Sequence, residues 1–200
     1  MIMNYLFHAY LSDPEPLCRI GNLMGDFVKG RLEERHWQPQ LLRGLRQHRA
    51  LDRYAHDHPV VLASKARLDR RFGILKPVLI DIFYDHFLAK NWEQWATGSL
   101  AEFAAGIYGQ LQRHELLLVE AFRPVARRMM DNDWLTSYRD QEIIALVLER
   151  VGKRLKRKNP LAEGISELQR CGGELEGDCY KFLQSATRLY HGQKDSPWAD

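Results

Sequence analysis

Two stretches of the chain carry ionisable residues on helical faces that are otherwise apolar, judged on a wheel of about 100° per residue. In LLRGLRQHRALDRYAHDHP (41–59), His48 and Asp52 fall on the stripe of Leu41, Leu45 and Ala55, with Leu42 and Arg49 beside it. In PVLIDIFYDHFLAKNW (77–92), the stripe of Val78, Leu79, Ile82, Phe83 and Phe87 also holds Asp85 and His86, and Asp81 stands one turn before Asp85 at its edge. An unpaired buried carboxylate costs several kcal/mol, and two that face each other repel, so such groups shift their pKa, find arginines or bind a metal. A divalent cation resolves the set. His and Asp side chains from two helices offer mixed nitrogen and oxygen ligands suited to manganese, iron, nickel or zinc, and paired carboxylates suit manganese or magnesium.

Two further segments add candidates. GNLMGDFVKG (21–30) sets Asp26 among small residues, with Lys29 three positions on, and MNYLFHAYLS (3–12) places His8 within a short apolar stretch. The glycines of 21–30 are not a phosphate-binding loop, since their spacing is wrong and no Gly-Lys-Ser/Thr follows. Each candidate also admits a purely structural role. His48 and Asp52 at i, i+4 form a hydrogen-bonded packing pair, Asp81, Asp85 and His86 an arginine-bridged cluster with Arg49 or Arg53, Asp26 a cap, and His8 a core histidine. The His56-Asp57 doublet lies just before His58-Pro59 and reads as a helix end.

The elements that must position these residues are helical. Apolar residues recur at helical spacing in windows near 17–30, 39–56, 60–71, 75–93, 99–114, 115–131, 133–138, 140–156 and 174–191, and strand-length alternation is hard to find. Pro77 fits a first helical turn, Pro124 should kink or split its helix, and Asn159-Pro160 and Gly172-Gly173 read as breaks. The fold class expected is all-α, a compact helical bundle forming one domain over 1–191, with a loose tail over 192–200. Aromatic residues such as Phe7, Trp37, Phe83, Trp92, Phe122 and Phe182 are spaced for packing rather than for stacking bases.

Composition narrows the class. The chain has 200 residues, 45% hydrophobic and 28% charged, which is globular and excludes a disordered or collagen-like chain. Three cysteines with no Cys-x-x-Cys spacing argue for reduced thiols and against a disulfide scaffold. The N-terminal stretch lacks a basic n-region, and no apolar run approaches the ~18 residues of a membrane span, so a cytoplasmic protein with no membrane partner is expected. A net charge of +3 is too mild to argue nucleic-acid binding. Two local basic runs stand out nevertheless: Arg43–Arg71, and KRLKRK at Lys153–Lys158 with Arg127-Arg128 before it. Either is a solvated face or a docking surface for a polyanion, and the missing aromatics in KRLKRK count against nucleic acid.

MNYLFHAYLS, GNLMGDFVKG, HRALDRYAHDHP (48–59) and DIFYDHFLAKNW (81–92), in this order, resemble the acyl carrier protein phosphodiesterases. The resemblance runs on through WLTSYRD (134–140) and covers roughly residues 3–190. It implies an all-helical, HD-domain-like fold related to the metallophosphohydrolases. It also implies manganese-dependent removal of 4′-phosphopantetheine from holo acyl carrier protein, an acidic partner, giving apo carrier. By motif, the site comprises His8, Asp26, His48, Arg49, Asp52, Asp81, Asp85 and His86; in place of the His-Asp doublet of HD enzymes the chain has Asp-His at 85–86. On this basis the metal, manganese or another divalent such as magnesium, is expected on His48, Asp85 and His86 with help from Asp52 or Asp81. His8 is a further ligand candidate. Asp26 would orient or deprotonate the water, and Arg49, Arg53 and Lys29 would neutralise phosphate oxygens. Two rival readings remain open: an HD-type hydrolase of guanosine tetraphosphate or a cyclic dinucleotide, and a non-enzymatic helical adaptor whose Asp81 and Asp85 pair with arginines.

Overall fold

The structure, a computed structural model, describes residues 4–191. Ten α-helices run through them, linked by short 3-10 turns, and no strand occurs among the described residues. The expected loose tail at 192–200 lies outside the described residues.

α1 (Tyr5–Leu11) is buried nearly all round, which is why no amphipathic period marks it in the sequence. α2 (Pro16–Leu23) starts with Pro16 in its first turn, and the Glu15 carboxylate accepts a hydrogen bond from the Cys18 N–H. The window 17–30 is therefore not one helix. It stops at Leu23, tightens into a 3-10 turn over Gly25–Phe27 that carries Asp26, and leaves through Gly30 at φ 79°.

α3 (Pro39–Asp57) ends where His58 is held extended before Pro59, which opens α4 (Pro59–Arg67). A 3-10 segment, capped by Asp69, leads into α5 (Lys76–Lys90). α5 is the central helix, packed against α1, α4, α9 and α10, so that nearly every side chain from Leu79 to Ala89 is buried.

α6 (Leu100–Arg113) begins with a capping box formed by Ser99 and Glu102. Pro124 splits the window 115–131: a turn over Glu115–Leu117 precedes α7 (Arg123–Asp131), and Pro124 sits in the first turn of α7. α8 (Trp134–Ser137) is one turn long, and α9 (Gln141–Arg154) follows it.

The break expected at Gly172-Gly173 does not occur. α10 runs from Ile165 to His191 with only a local distortion at Cys171 (φ −135°, ψ 25°). Each glycine costs a helix about 1 kcal/mol, and the buried stripe of Leu168, Cys171, Leu175, Cys179, Phe182 and Ala186 outweighs that cost. All three cysteines are buried and unbridged. Among the described residues no helix is long and apolar enough to cross a membrane.

Candidate functional site

The register of α2 against α3 sets the site. A Cβ on Gly44 would stand 1.9 Å from the carbonyl oxygen of Cys18, and one on Gly21 would stand 2.3 Å from that of Leu41. The two helices thus touch backbone to backbone, and three amide-bearing or imidazole side chains are brought into line. Gln47 Nε2 donates to the carbonyl of Leu11 (3.2 Å), and Gln47 Oε1 accepts from Asn22 Nδ2 (3.4 Å), from Ser12 Oγ (3.3 Å) and from the Asp13 N–H (3.2 Å). With its amide nitrogen so engaged, Asn22 offers its oxygen to His8, whose Nδ1 donates to it at 2.7 Å. The proton of His8 is therefore on Nδ1, and Nε2 presents a lone pair.

That lone pair faces Asp52. His8 Nε2 lies 3.3 Å from Asp52 Oδ1, His48 Nε2 lies 3.3 Å from Asp52 Oδ2, and the two imidazoles stack with centroids 4.2 Å apart. Asp26 Oδ1 stands 3.8 Å from His48 Nε2 on the other side. Gly25 makes this possible, because a Cβ there would meet His48 Cγ at 2.2 Å. Three helical elements far apart in sequence, α1, the turn after α2, and α3, so converge on one point.

Electrostatics follow from the burial. Burial, with His48 beside it, holds the His8 imidazole below its ordinary pKa, against the pull of Asp52. Burial also works against His48, but hydrogen bonds and charge from Asp26 and Asp52 prevail and push it up to about 9. Burial would raise Asp52, yet the two imidazoles bring it well below the carboxylate range. Asp81 goes the other way: burial, then the carboxylates of Asp52 and Asp85, push it well up, and its buried Oδ2 has no hydrogen-bond partner.

One ligand atom from each of His8, His48 and Asp52 lies within 4.8 Å of the others, so the three can hold a cation. The donor chemistry fits: a bare imidazole nitrogen, a second imidazole and a carboxylate, with the orphaned Asp81 oxygen in the same electrostatic neighbourhood. The two imidazoles and the carboxylate are a donor set that a divalent ion could accept.

Asp85 and His86 are not brought to His48. The Asp85 carboxylate, 1% exposed, accepts the backbone N–H groups of Leu6 (3.0 Å) and Phe7 (2.9 Å), two of the orphan donors at the start of α1. Burial pushes Asp85 up to about 8 against the pull of these two donors. His86 Nδ1 donates to the carbonyl of Tyr138 (2.8 Å). Adjacent helical residues point about 100° apart, so one face cannot present both. Of the expected ligand candidates, the geometry groups His48 with His8 and Asp52, while the carboxylate of Asp85 and the Nδ1 of His86 are engaged with backbone groups. Among the described residues no arginine pairs with Asp81 or Asp85, as the adaptor reading requires.

Arg49 holds a loop. Its Nη2 donates to the carbonyls of Val28 (3.1 Å) and Gly30 (2.8 Å), fixing the segment that follows Asp26. Lys29, in that same loop, and Arg53, one residue past Asp52, are exposed. Sequence reasoning missed Asn22 and Gln47. The available signal was their polarity on the faces where α2 and α3 meet.

Compared with known proteins, the chain matches the acyl carrier protein phosphodiesterase family over residues 3–186. It is 28% identical to the acyl carrier protein phosphodiesterase of Photorhabdus laumondii subsp. laumondii over 181 residues, which is 90% of this chain and 91% of that one. The protein of that name from Pectobacterium atrosepticum is 27% identical over 193 residues (96% and 100%), and that from Escherichia coli O6:H1 is 28% identical over 193 residues (93% and 98%). No solved structure matches the chain significantly. With nearly its whole length matched, the chain belongs to the acyl carrier protein phosphodiesterase family.

Proposed function

We propose that this member of the family hydrolyses the phosphodiester joining 4′-phosphopantetheine to the serine of holo acyl carrier protein, giving apo carrier protein and free 4′-phosphopantetheine. The observation that carries the reading is the buried group of His8, His48 and Asp52, lying inside the matched region and backed by the unpartnered Asp81 oxygen.

His8, His48 and Asp52 would hold a divalent cation, manganese being the ion that the family resemblance implies. When bound, such an ion supplies Lewis-acid polarisation of the phosphodiester and makes a nearby water more acidic. Asn22 keeps the His8 proton on Nδ1, so that Nε2 is ready to ligate without a change of tautomer. Asp26, whose Oδ1 lies 3.8 Å from His48 Nε2, takes a proton from the attacking water and returns it to the serine oxygen as the phosphorus–oxygen bond to the carrier breaks. Arg49 holds the loop that carries Lys29, and Lys29 with Arg53 would neutralise the remaining phosphate charge.

Intact mass spectrometry of purified holo acyl carrier protein, incubated with this protein and manganese, tests the reaction. A fall in carrier mass equal to 4′-phosphopantetheine, absent after chelation, is the expected result. An unchanged carrier, with folded protein and any divalent metal, overturns the reading.

A further inference from the structure

The segment Trp134–Asp140 takes part in the family resemblance yet contributes nothing to the metal group. Trp134, Ser137 and Tyr138 instead form one wall of a cavity of about 380 Å³, and Ile143, Val147 and Val151 of α9 form another. The Tyr138 hydroxyl is buried and has no hydrogen-bond partner among the described residues. A buried hydroxyl is rarely left unpaired, and this one belongs to a residue that lines the cavity.

A ring contact links the cavity wall to α1, the helix that carries His8. The Trp134 ring lies 6.3 Å from that of Tyr5, and Tyr5 is three residues, one helical turn, before His8. Tyr138 is tied to the same place from behind, since its carbonyl holds His86, the neighbour of the Asp85 that caps α1.

Charge tells which side a partner approaches. Part of the basic run at 43–71 is tied up in contacts within the molecule: Arg43 pairs with Asp13 (3.2 Å), Arg67 with Asp178 (2.7 Å) and Arg71 with Glu163 (2.7 Å), and Arg49 clamps its loop. The run at the end of α9 is different. Lys153 pairs with Glu149 on its own helix, whereas Lys156, Arg157 and Lys158 are exposed and make no ion pair among the described residues. The exposed Arg128 and Arg150 extend this positive surface to the cavity itself.

We propose that this cavity receives the pantetheine arm while the basic end of α9 faces the acidic surface of the carrier protein; the inference rests on the reaction proposed above. The match is chemical. The geminal methyl groups of the arm suit Trp134 and Val147, its amides and hydroxyl suit Tyr138, and the arginines and lysines around the mouth suit the acidic protein to which the arm is attached.

The test titrates pantetheine, which lacks the phosphate, into metal-free full-length protein by calorimetry, and measures KM for holo carrier in parallel. Wild type binds pantetheine, and Val147→Trp, which fills the cavity, loses that binding. Tyr138→Phe gives the sharper signature. It unfolds at a higher temperature than wild type because an orphaned hydroxyl is gone, yet it binds pantetheine roughly three- to tenfold more weakly and raises KM by the same factor. If Val147→Trp fails to fold, Tyr138→Phe decides alone. Failure of folded wild type to bind pantetheine, or wild-type affinity and KM in Tyr138→Phe, overturns the assignment. Wild type that binds pantetheine in a Tyr138-dependent way but leaves holo carrier intact overturns the reaction and keeps the cavity's ligand.

Discussion

Asp85 caps the helix that carries His8. Its two carboxylate oxygens take the N–H groups of Leu6 and Phe7, so a side chain at the centre of α5 fixes the direction in which α1 aims an imidazole two residues later. Asp85 therefore reaches the site through the backbone of α1.

Asp85→Ala leaves two buried N–H groups without partners, at about 1–3 kcal/mol for each. The expected outcome in denaturant unfolding is a large loss of stability, with metal affinity weakened only as far as α1 loosens. Asp85→Asn keeps one carbonyl acceptor and should recover part of that stability. A direct ligand would show the reverse, with metal lost and the fold intact.

Metal affinity should fall with acid, in a defined window. His48, raised to about 9 in the metal-free protein, must lose a proton to ligate, so between roughly pH 6.5 and 9 affinity rises about tenfold per pH unit. Below that window His8, held lower, adds a second proton and steepens the dependence. Calorimetric titration of manganese across pH 6–10 checks this, and a flat profile would contradict it.

Asn22→Ala removes the acceptor that holds the His8 proton on Nδ1. Second-layer partners of this kind are worth roughly 10–100-fold in metal affinity, and the same loss is expected here. The measurement is a manganese titration of the folded variant, alongside its thermal midpoint.

Gly25→Ala and Gly44→Ala separate site from scaffold. A methyl group at Gly25 meets the His48 ring, so His48 must swing away and metal binding suffers first. At Gly44 the methyl group meets the backbone of Cys18 and Asn22, so α2 and α3 are forced apart and stability falls by about 1–3 kcal/mol or more. Thermal unfolding and metal titration of both variants should give opposite rankings.

Much of this was legible in the residues. α3 and the His48–Asp52 pair follow directly from the wheel, and Pro124 divides its window as its chemistry requires. α1 was not legible as a helix, because a helix buried on every side has no polar face to set its period. Gly172-Gly173 misled because local propensity was outweighed by a buried stripe that only the tertiary fold reveals. In the site, polarity on an apolar face marked Asp85 and His86 but not their purpose. A carboxylate that caps a helix 79 positions away looks in sequence like one that binds a metal. Asn22 and Gln47 were hidden for the same reason, since what they do depends on a close approach of α2 and α3.

Whether His8, His48 and Asp52 together hold the metal is read from metal content. Wild type, His8→Ala, Asp52→Asn and His86→Gln, each shown to be folded, would be equilibrated with manganese, desalted and assayed for bound metal per chain. Wild type and His86→Gln should retain metal, and His8→Ala and Asp52→Asn should lose it. Full metal content in His8→Ala together with loss in His86→Gln would contradict that assignment.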